Sequence, residues 1–361
     1  MLLAIVLAFS LFSVTPSFAA EKSLEKYFYY DVEPSHSAYV ELERFLFADL
    51  IDGYEETDVY EEDGETYEDT YVLLKPQNYI TRAQFTKILV NAMNLTQGEI
   101  EKTFTDVKSS SWFYDYVKIA SSHGIILGKE DGTFKPNDKI TRAQMAMMIY
   151  RAFKDTVEFE ASNKTFKDVS KQNVAYEAIH KAAGVGIVKG YGDNFKPGNL
   201  AFRSHAVLMI DRAMHLEAGA AEDEAPLLTV VERNITTELA LYDGKLDTVA
   251  LEKLYRETAT GYYLASSLFG NSIFEDPELD LTGITMQQIG QHTTSVASVN
   301  KRFASVRIDN YKVRVTFDDP EEEMSFSMTM NISGTAFLKK MADGSWKIYH
   351  ILYDDEDYNL Q

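Results

Sequence analysis

The sequence predicts a multi-domain chain: a mostly α-helical unit of three repeats, followed by a smaller α+β domain with a curved antiparallel sheet. Three observations carry this. The string Ile80-Thr81-Arg82-Ala83-Gln84 returns unchanged as Ile140-Thr141-Arg142-Ala143-Gln144, 60 residues further on. The stretch EAGAAEDEAP at 217–226 is small, acidic and closed by a proline, as a linker would be. Beyond it, apolar residues alternate with a period of two, the pattern of strands.

Composition sets the outer limits. A length of 361 residues corresponds to about two domains or slightly more. Hydrophobic residues at 45% and aromatics at 12% supply a packed core and exclude an intrinsically disordered chain. Lys and Arg number 35 against 56 Asp and Glu, a net charge of −21. Such a surface repels phosphate backbones and no basic run offsets it, so no nucleic-acid partner is expected. The absence of cysteine removes disulfides, zinc ribbons, cysteine nucleophiles and iron–sulfur clusters together. An exported protein without cysteine fits a Gram-positive surface.

Residues 1–20, MLLAIVLAFSLFSVTPSFAA, read as a signal peptide with a small-x-small site at Ser17-Phe18-Ala19. The apolar core at 2–14 falls short of the roughly 20 residues that span a bilayer. No Lys or Arg precedes that core, which leaves room for a start codon further upstream. No membrane insertion is expected after signal cleavage.

Three copies of one unit tile the region after it. The second, at 104–154, runs FTDV at 104–107, Trp112, GIILG at 124–128, DGTFKP at 131–136 and then the repeated string. The third, at 166–216, keeps FKDV, GIVKG and GDNFKP but has Ala201-Phe202-Arg203-Ser204-His205 at the string. The first, at 27–94, is looser, with Tyr30-Asp31-Val32 at its start, Leu50-Ile51-Asp52-Gly53 at the Gly-Ile-Ile position and Lys75-Pro76 before Ile80. It carries an acidic, tyrosine-rich insertion at 54–71, read as a solvated hairpin or loop; a calcium site or a screening gate is the sharper alternative. Around Gly64 the spacing does not match an EF-hand loop, and no metal ligand set or cofactor motif is expected anywhere in the chain.

Each unit predicts two helices. Phe113, Tyr116, Val117 and Ala120 fall at helical spacing and Gly124 ends the run. After Thr81, Phe85, Ile88, Leu89 and Ala92 follow the same pattern, and after Thr141 so do Met145, Met148, Ile149 and Ala152. One unit cannot bury both stripes, so the three must pack together. Thr-x-x-Gln is a capping box, which accounts structurally for Thr81, Gln84, Thr141 and Gln144. The arginines need another account, because a cation in the first turn opposes the helix dipole by a few tenths of a kcal/mol. Either an anionic ligand meets each guanidinium and the free amides beside it, or Arg82 and Arg142 pair with a neighbouring carboxylate such as Asp106 or Asp168.

This order of motifs resembles the S-layer homology domain, whose diagnostic string is Thr-Arg-Ala-Glu or Thr-Arg-Ala-Gln. The resemblance covers about half the chain. It implies a pseudo-threefold prism whose grooves bind a secondary cell wall polymer bearing pyruvate ketals, and hence non-covalent anchoring. Carried onto this sequence, the glycan-binding residues are Arg82, Arg142, Arg203, Gln84, Gln144, Gly53, Gly128 and Gly190, the glycines serving a tight turn or the groove floor. The third copy loses its capping box, with Phe202 for Thr and His205 for Gln, so its groove is the weak one.

The region 227–361 predicts one or two helices, one carrying Leu251, Leu254, Tyr255, Thr258 and Tyr262, then strands at 304–308, 311–317, 324–332, 334–338 and 346–351, with an Asp343-Gly344 turn. Its last strands loosely resemble the nuclear-transport-factor-two or ketosteroid-isomerase-like cone. No catalytic residue emerges: there is no HExxH, GxSxG or P-loop string, and His292 and His350 read as network or core-edge residues. The expectation is a secreted, wall-anchored surface protein displaying a C-terminal binding or scaffold domain, not an enzyme. A wall-anchored enzyme active in that domain is the alternative. A purely structural lattice module is the third reading, and it requires Arg82 and Arg142 to be saturated by protein carboxylates.

Overall fold

The computed structural model describes residues 21–62, 65–100, 102–159, 164–217, 223–242, 246–275, 284–319 and 324–354. The expected signal peptide lies outside them. Among the described residues no helix is long and apolar enough to cross a membrane.

Each repeat contributes a first and a second helix. The pairs are α1 (Tyr39–Phe47) with α2 (Arg82–Ala92), α3 (Tyr114–Ser122) with α4 (Arg142–Phe153), and α5 (Tyr176–Gly184) with α6 (Arg203–His215). The second helices bury the predicted stripes, Phe85, Ile88, Leu89 and Ala92 on α2 and Met145, Met148 and Ile149 on α4. Gly124 stands just past the C-cap of α3 at φ +69°, as a helix-ending glycine does. Both Thr-x-x-Gln strings form complete capping boxes, whereas Phe202 gives α6 no side-chain cap.

The repeats are joined by a closed cycle of backbone bonds. Ile140 N–H donates to Ile80 O (3.0 Å), Ala201 N–H to Ile140 O (2.9 Å) and Ile80 N–H to Ala201 O (3.1 Å). A second cycle fixes each unit internally. The carboxylates of Asp31, Asp106 and Asp168 accept two consecutive amides each: those of Leu74 and Lys75, Phe134 and Lys135, Phe195 and Lys196, all at 2.7–2.8 Å. Lys75, Lys135 and Lys196 sit at φ +50°, +60° and +60°, a left-handed backbone costly for a non-glycine residue. The paired acceptors hold that strain, and they align the loosely traced first copy with the other two.

The insertion is an antiparallel hairpin of β1 (Tyr54–Glu62) and β2 (Glu65–Leu73), mostly exposed, with only its base at Val72 buried. Among the described residues no three His, Asp or Glu are grouped to hold a metal.

The C-terminal part holds α7 (Ala225–Tyr242), α8 (Thr248–Thr258) and α9 (Gly261–Ile273), then β3 (Ile284–Ile289), β4 (Thr293–Val299), β5 (Phe303–Asp309), β6 (Lys312–Asp319), β7 (Met324–Asn331), β8 (Gly334–Lys340) and β9 (Trp346–Tyr353). The strands form two antiparallel sheets, ordered β3-β6-β7 and β4-β5-β8-β9, where the sequence predicted one curved sheet and missed β3 and β4. Tyr262 belongs to α9 and not to the helix of Leu251. The break falls at Ala259-Thr260, where Thr260 N–H donates to Ile348 O (2.8 Å) and Ala259 bridges Ile348 on β9.

The segment expected as a linker is anchored at both described ends. Glu217 is buried, and Ala225-Pro226 open α7; residues 218–222 lie outside the described chain. The repeats and the C-terminal part share one core, since Tyr262, Ala265 and Tyr349 belong to the hydrophobic cluster of the repeats.

Candidate functional site

The first residue of each second helix reaches across to the loop of the next repeat. Arg82 Nε donates to Phe134 O (2.8 Å), Arg142 Nε to Phe195 O (2.9 Å) and Arg142 Nη2 to Lys189 O (2.9 Å). Arg203 completes the cycle onto the first repeat, where Nη2 donates to Asp52 O and Nη1 to the Tyr54 hydroxyl. Each guanidinium also lies on aromatic rings, with Arg82 4.7 Å from Phe134, Arg142 4.6 Å from Phe195 and 4.9 Å from Tyr191, and Arg203 5.0 Å from Tyr54. The arginine of one repeat therefore meets the loop of the next, and Arg142 lines one cavity together with Gly190.

Two expectations about these arginines change. Asp106 and Asp168 hold backbone amides, and no described carboxylate bonds Arg82 or Arg142. Nor are the helix N-terminal amides free for an anion. Those of Arg82 and Ala83 donate to Asp138 O and Pro136 O, those of Arg142 and Ala143 to Asn199 O and Pro197 O, and those of Arg203 and Ser204 to Asn78 O and Pro76 O. The third amides of α2 and α4 go to the threonine caps. Any anion bound here meets side chains, not the helix dipole.

The glycines are required by close approach. A Cβ on Gly128 would sit 2.4 Å from Phe104 Cε1, and one on Gly190 would sit 2.3 Å from Phe166 Cε1. On Gly53 it would meet Val72 Cγ1 at 2.0 Å. Of the three only Gly128, at φ +74°, also needs the left-handed backbone. Gln84 and Gln144 cap their helices, and Gln84 Nε2 in addition donates to the Tyr54 hydroxyl (2.8 Å), which places it in the notch of Arg203 rather than that of Arg82.

The notch of Arg142 encloses a cavity of about 180 Å³ lined by Arg142, Lys189, Gly190, Tyr191, His205, Leu208, Met209 and Arg212. Four basic groups converge there and no carboxylate lines it, on a chain of net charge −21. Nη1 of Arg142 makes no hydrogen bond to a described residue. His205 carries a buried Nδ1 without a partner, and burial, then Arg142 and Arg212, push its pKa down. A neutral imidazole can accept or donate, so this edge adapts to a ligand hydroxyl.

The notch of Arg203 is filled differently. Tyr54 lies over the guanidinium, and the Asp52 carboxylate is held by Lys22 (2.7 Å) and by Lys87. Burial opposes ionisation of Asp52, but the two ammonium groups outweigh it and hold the carboxyl down at about 2. A protein carboxylate already satisfies the local cations.

Sequence reasoning missed Arg151 and Arg212. Arg151 Nη1 donates to Ile125 O and Arg212 Nη1 to Ile187 O, both at 3.4 Å, while Asn91 Nδ2 makes the matching bond to Leu50 O. The signal was available: a basic residue stands nine positions after Arg142 and after Arg203, but not after Arg82.

The S-layer homology domain profile matches residues 103–146 and 165–206, the second and third repeats. The chain carries an S-layer homology domain. Relatives include an endoglucanase of Bacillus sp. (strain KSM-635), 32% identical over 184 residues, covering 47% of this chain and 19% of that protein. A cellulosome-anchoring protein of Acetivibrio thermocellus is 31% identical over 150 residues, covering 39% of this chain and 33% of that protein. A surface-layer 125 kDa protein of Lysinibacillus sphaericus is 29% identical over 184 residues, covering 49% and 15%. The chain thus spans a third or less of the length of these relatives. Among solved structures, the intermembrane space region of the chloroplast protein ARC6 aligns with 37% of this chain at 15% identity and a TM-score of 0.27, too distant to carry an argument. With its S-layer homology domain the chain is a secreted, cell-wall-associated surface protein.

Proposed function

We propose that the repeats hold this protein non-covalently at the cell surface by binding an anionic cell wall polymer, and that the group recognised is a pyruvate ketal carboxylate. The observation that carries this is the Arg142 notch, where four basic groups meet around a cavity free of carboxylates on an otherwise acidic chain. A planar guanidinium fixed by two carbonyls and a ring is preorganised for a carboxylate, and it loses little freedom on binding. Arg82 is read as the second such group, with Arg151 standing on α4 at the position that Arg212 holds on α6. Arg203 serves the fold, because Asp52 and Tyr54 occupy its surroundings. The three repeats are read as a pseudo-threefold unit, supported by the closed Ile80-Ile140-Ala201 cycle.

The C-terminal part is read as a binding or scaffold domain rather than an enzyme. In support, His292 is tied to Glu232 (2.8 Å) and His350 is packed among Phe47, Tyr262 and Phe337.

The test is sedimentation of the full chain with purified wall sacculi, native and stripped of secondary polymer. Binding to native walls alone, lowered at least tenfold by Arg142→Ala or Arg212→Ala and competed by pyruvylated fragments, is the expected result. Equal binding to stripped walls, or indifference to both substitutions, overturns the reading.

A further inference from the structure

The C-terminal part contains a cavity that the anchoring site does not use. It measures about 140 Å³ and lies between α7 and the sheets, with Ile308, Val313, Val315 and Ile351 among its apolar walls. Its polar lining comes from Glu238 and Tyr242 on α7, Tyr263 on α9, Tyr311 and Tyr353.

The hydroxyl protons of this lining can be followed one by one. Tyr311 Oη donates to Ile235 O (2.9 Å) and Tyr263 Oη to Asn234 Oδ1 (2.9 Å). Tyr255 Oη donates to Glu238 Oε1 (2.7 Å), so the 3.4 Å contact between Tyr242 Oη and Tyr255 Oη must use the proton of Tyr242. Each of these four hydroxyls has one proton, and each has given it to the protein. What Tyr242, Tyr263 and Tyr311 keep for the cavity is lone pairs and ring faces, beside a carboxyl group. A neutral acceptor or an anion would meet no free proton on Tyr242, Tyr263 or Tyr311. A cation would find acceptors, electron-rich rings and a counter-charge.

We propose that this cavity binds a small organic ammonium compound with an apolar body, its charged head against Glu238 and the tyrosines. This deepens the binding reading of the C-terminal part and is independent of the wall-binding notches. Burial raises the Glu238 pKa, against which the Tyr255 bond acts. The titratable groups that face it are Tyr242, Tyr255, Tyr263, Tyr311 and Tyr353, all themselves pushed up by burial and so uncharged at neutral pH. Entry of a cation therefore favours the ionised carboxylate, releases a proton and tightens as pH rises through the Glu238 titration.

The experiment compares butylammonium, butanol and butyrate on the full chain, by calorimetry and by methyl NMR of Met286 and Met330, which line the cavity. The expected result is saturable shifts at these two methyls with butylammonium, at least tenfold tighter than with butanol, none with butyrate, and proton release on binding. Glu238→Gln should abolish the preference for the cation while leaving sacculus binding unchanged. Equal binding of the alcohol, shifts confined to other methyls, binding of none of the three at millimolar concentration, or a preference that survives Glu238→Gln overturns the proposal. The methyl readout decides the matter in the unmodified protein even if that variant does not fold.

Discussion

Arg302 grips Glu217 with two bonds, Nε to Oε2 at 2.7 Å and Nη2 to Oε1 at 3.0 Å, and the Glu217 side chain is fully buried. The remaining Nη1 donates to Met93 O, and Thr156 Oγ1 adds a bond to Glu217 Oε1 at 2.8 Å. One strand-end arginine of the C-terminal part thus fastens the ends of the first, second and third repeats.

Removing one partner of a buried pair leaves an uncompensated charge, at a cost of about 3–5 kcal/mol. Arg302→Ala should lower stability by that amount and split a single calorimetric transition into two. Two transitions in the unmodified chain would show that the shared core does not couple the parts.

Arg142 and Arg203 should respond differently to truncation. From sequence alone Arg142→Ala is expected to spare the melting temperature. Its two bonds to backbone carbonyls revise this to a loss of about 1–3 kcal/mol. Wall binding should still fall by more than that loss explains. Arg203→Ala should cost about 2–4 kcal/mol, because it strips partners from Asp52 O and the Tyr54 hydroxyl, and its wall binding should follow the folded fraction. Sacculus isotherms beside urea melts separate the two.

Gly190→Ala forces a Cβ to within 2.3 Å of the Phe166 ring and 2.8 Å of Asn194 O. Overpacking of this kind costs about 1–3 kcal/mol. Adding Phe166→Leu should recover part of the loss by removing the ring, but not the carbonyl clash. A double variant no more stable than Gly190→Ala alone, measured by denaturant midpoint, would count against ring contact as the cause.

His350 supplies a pH dependence. Burial pushes its pKa down to about 4, so between that value and the unfolded value near 6.5 the unfolded chain binds the extra proton. Stability is therefore full above about pH 6.5 and declines as pH falls toward 4. His350→Phe, which keeps a ring against Phe337, should flatten this part of the profile. An unchanged slope assigns the acid sensitivity to other groups.

Much of the repeat region is legible in the sequence because its geometry is enforced by local chemistry that recurs in order. The Asp-to-Lys-Pro spacing, the capping boxes and the buried stripes all sit where the spacing puts them. The direction of Arg82, Arg142 and Arg203 was not legible, since their partners are carbonyl groups of another repeat and carbonyls leave no mark on residue type. β3 and β4 escaped because polar residues break the phase of their alternation, with Gln287-Gln288 between Met286 and Ile289 and the run Thr293-Thr294-Ser295 opening β4. The α8–α9 break escaped because its cause lies on β9, and because Gly261, at φ +58° with Phe47 O 2.0 Å from where a Cβ would stand, looks in sequence like any glycine.

The cycle of bonds through Ile80, Ile140 and Ala201 has no loose end. An open solenoid can gain or lose a unit at its terminus, because every interface is of one kind and the last is merely unpaired. Here a fourth unit would have no amide or carbonyl to join, and a missing one would leave two unsatisfied. The bonds of this cycle leave no backbone group at which a further unit could join, and the added material of the hairpin at 54–73 lies outside it, on the first unit.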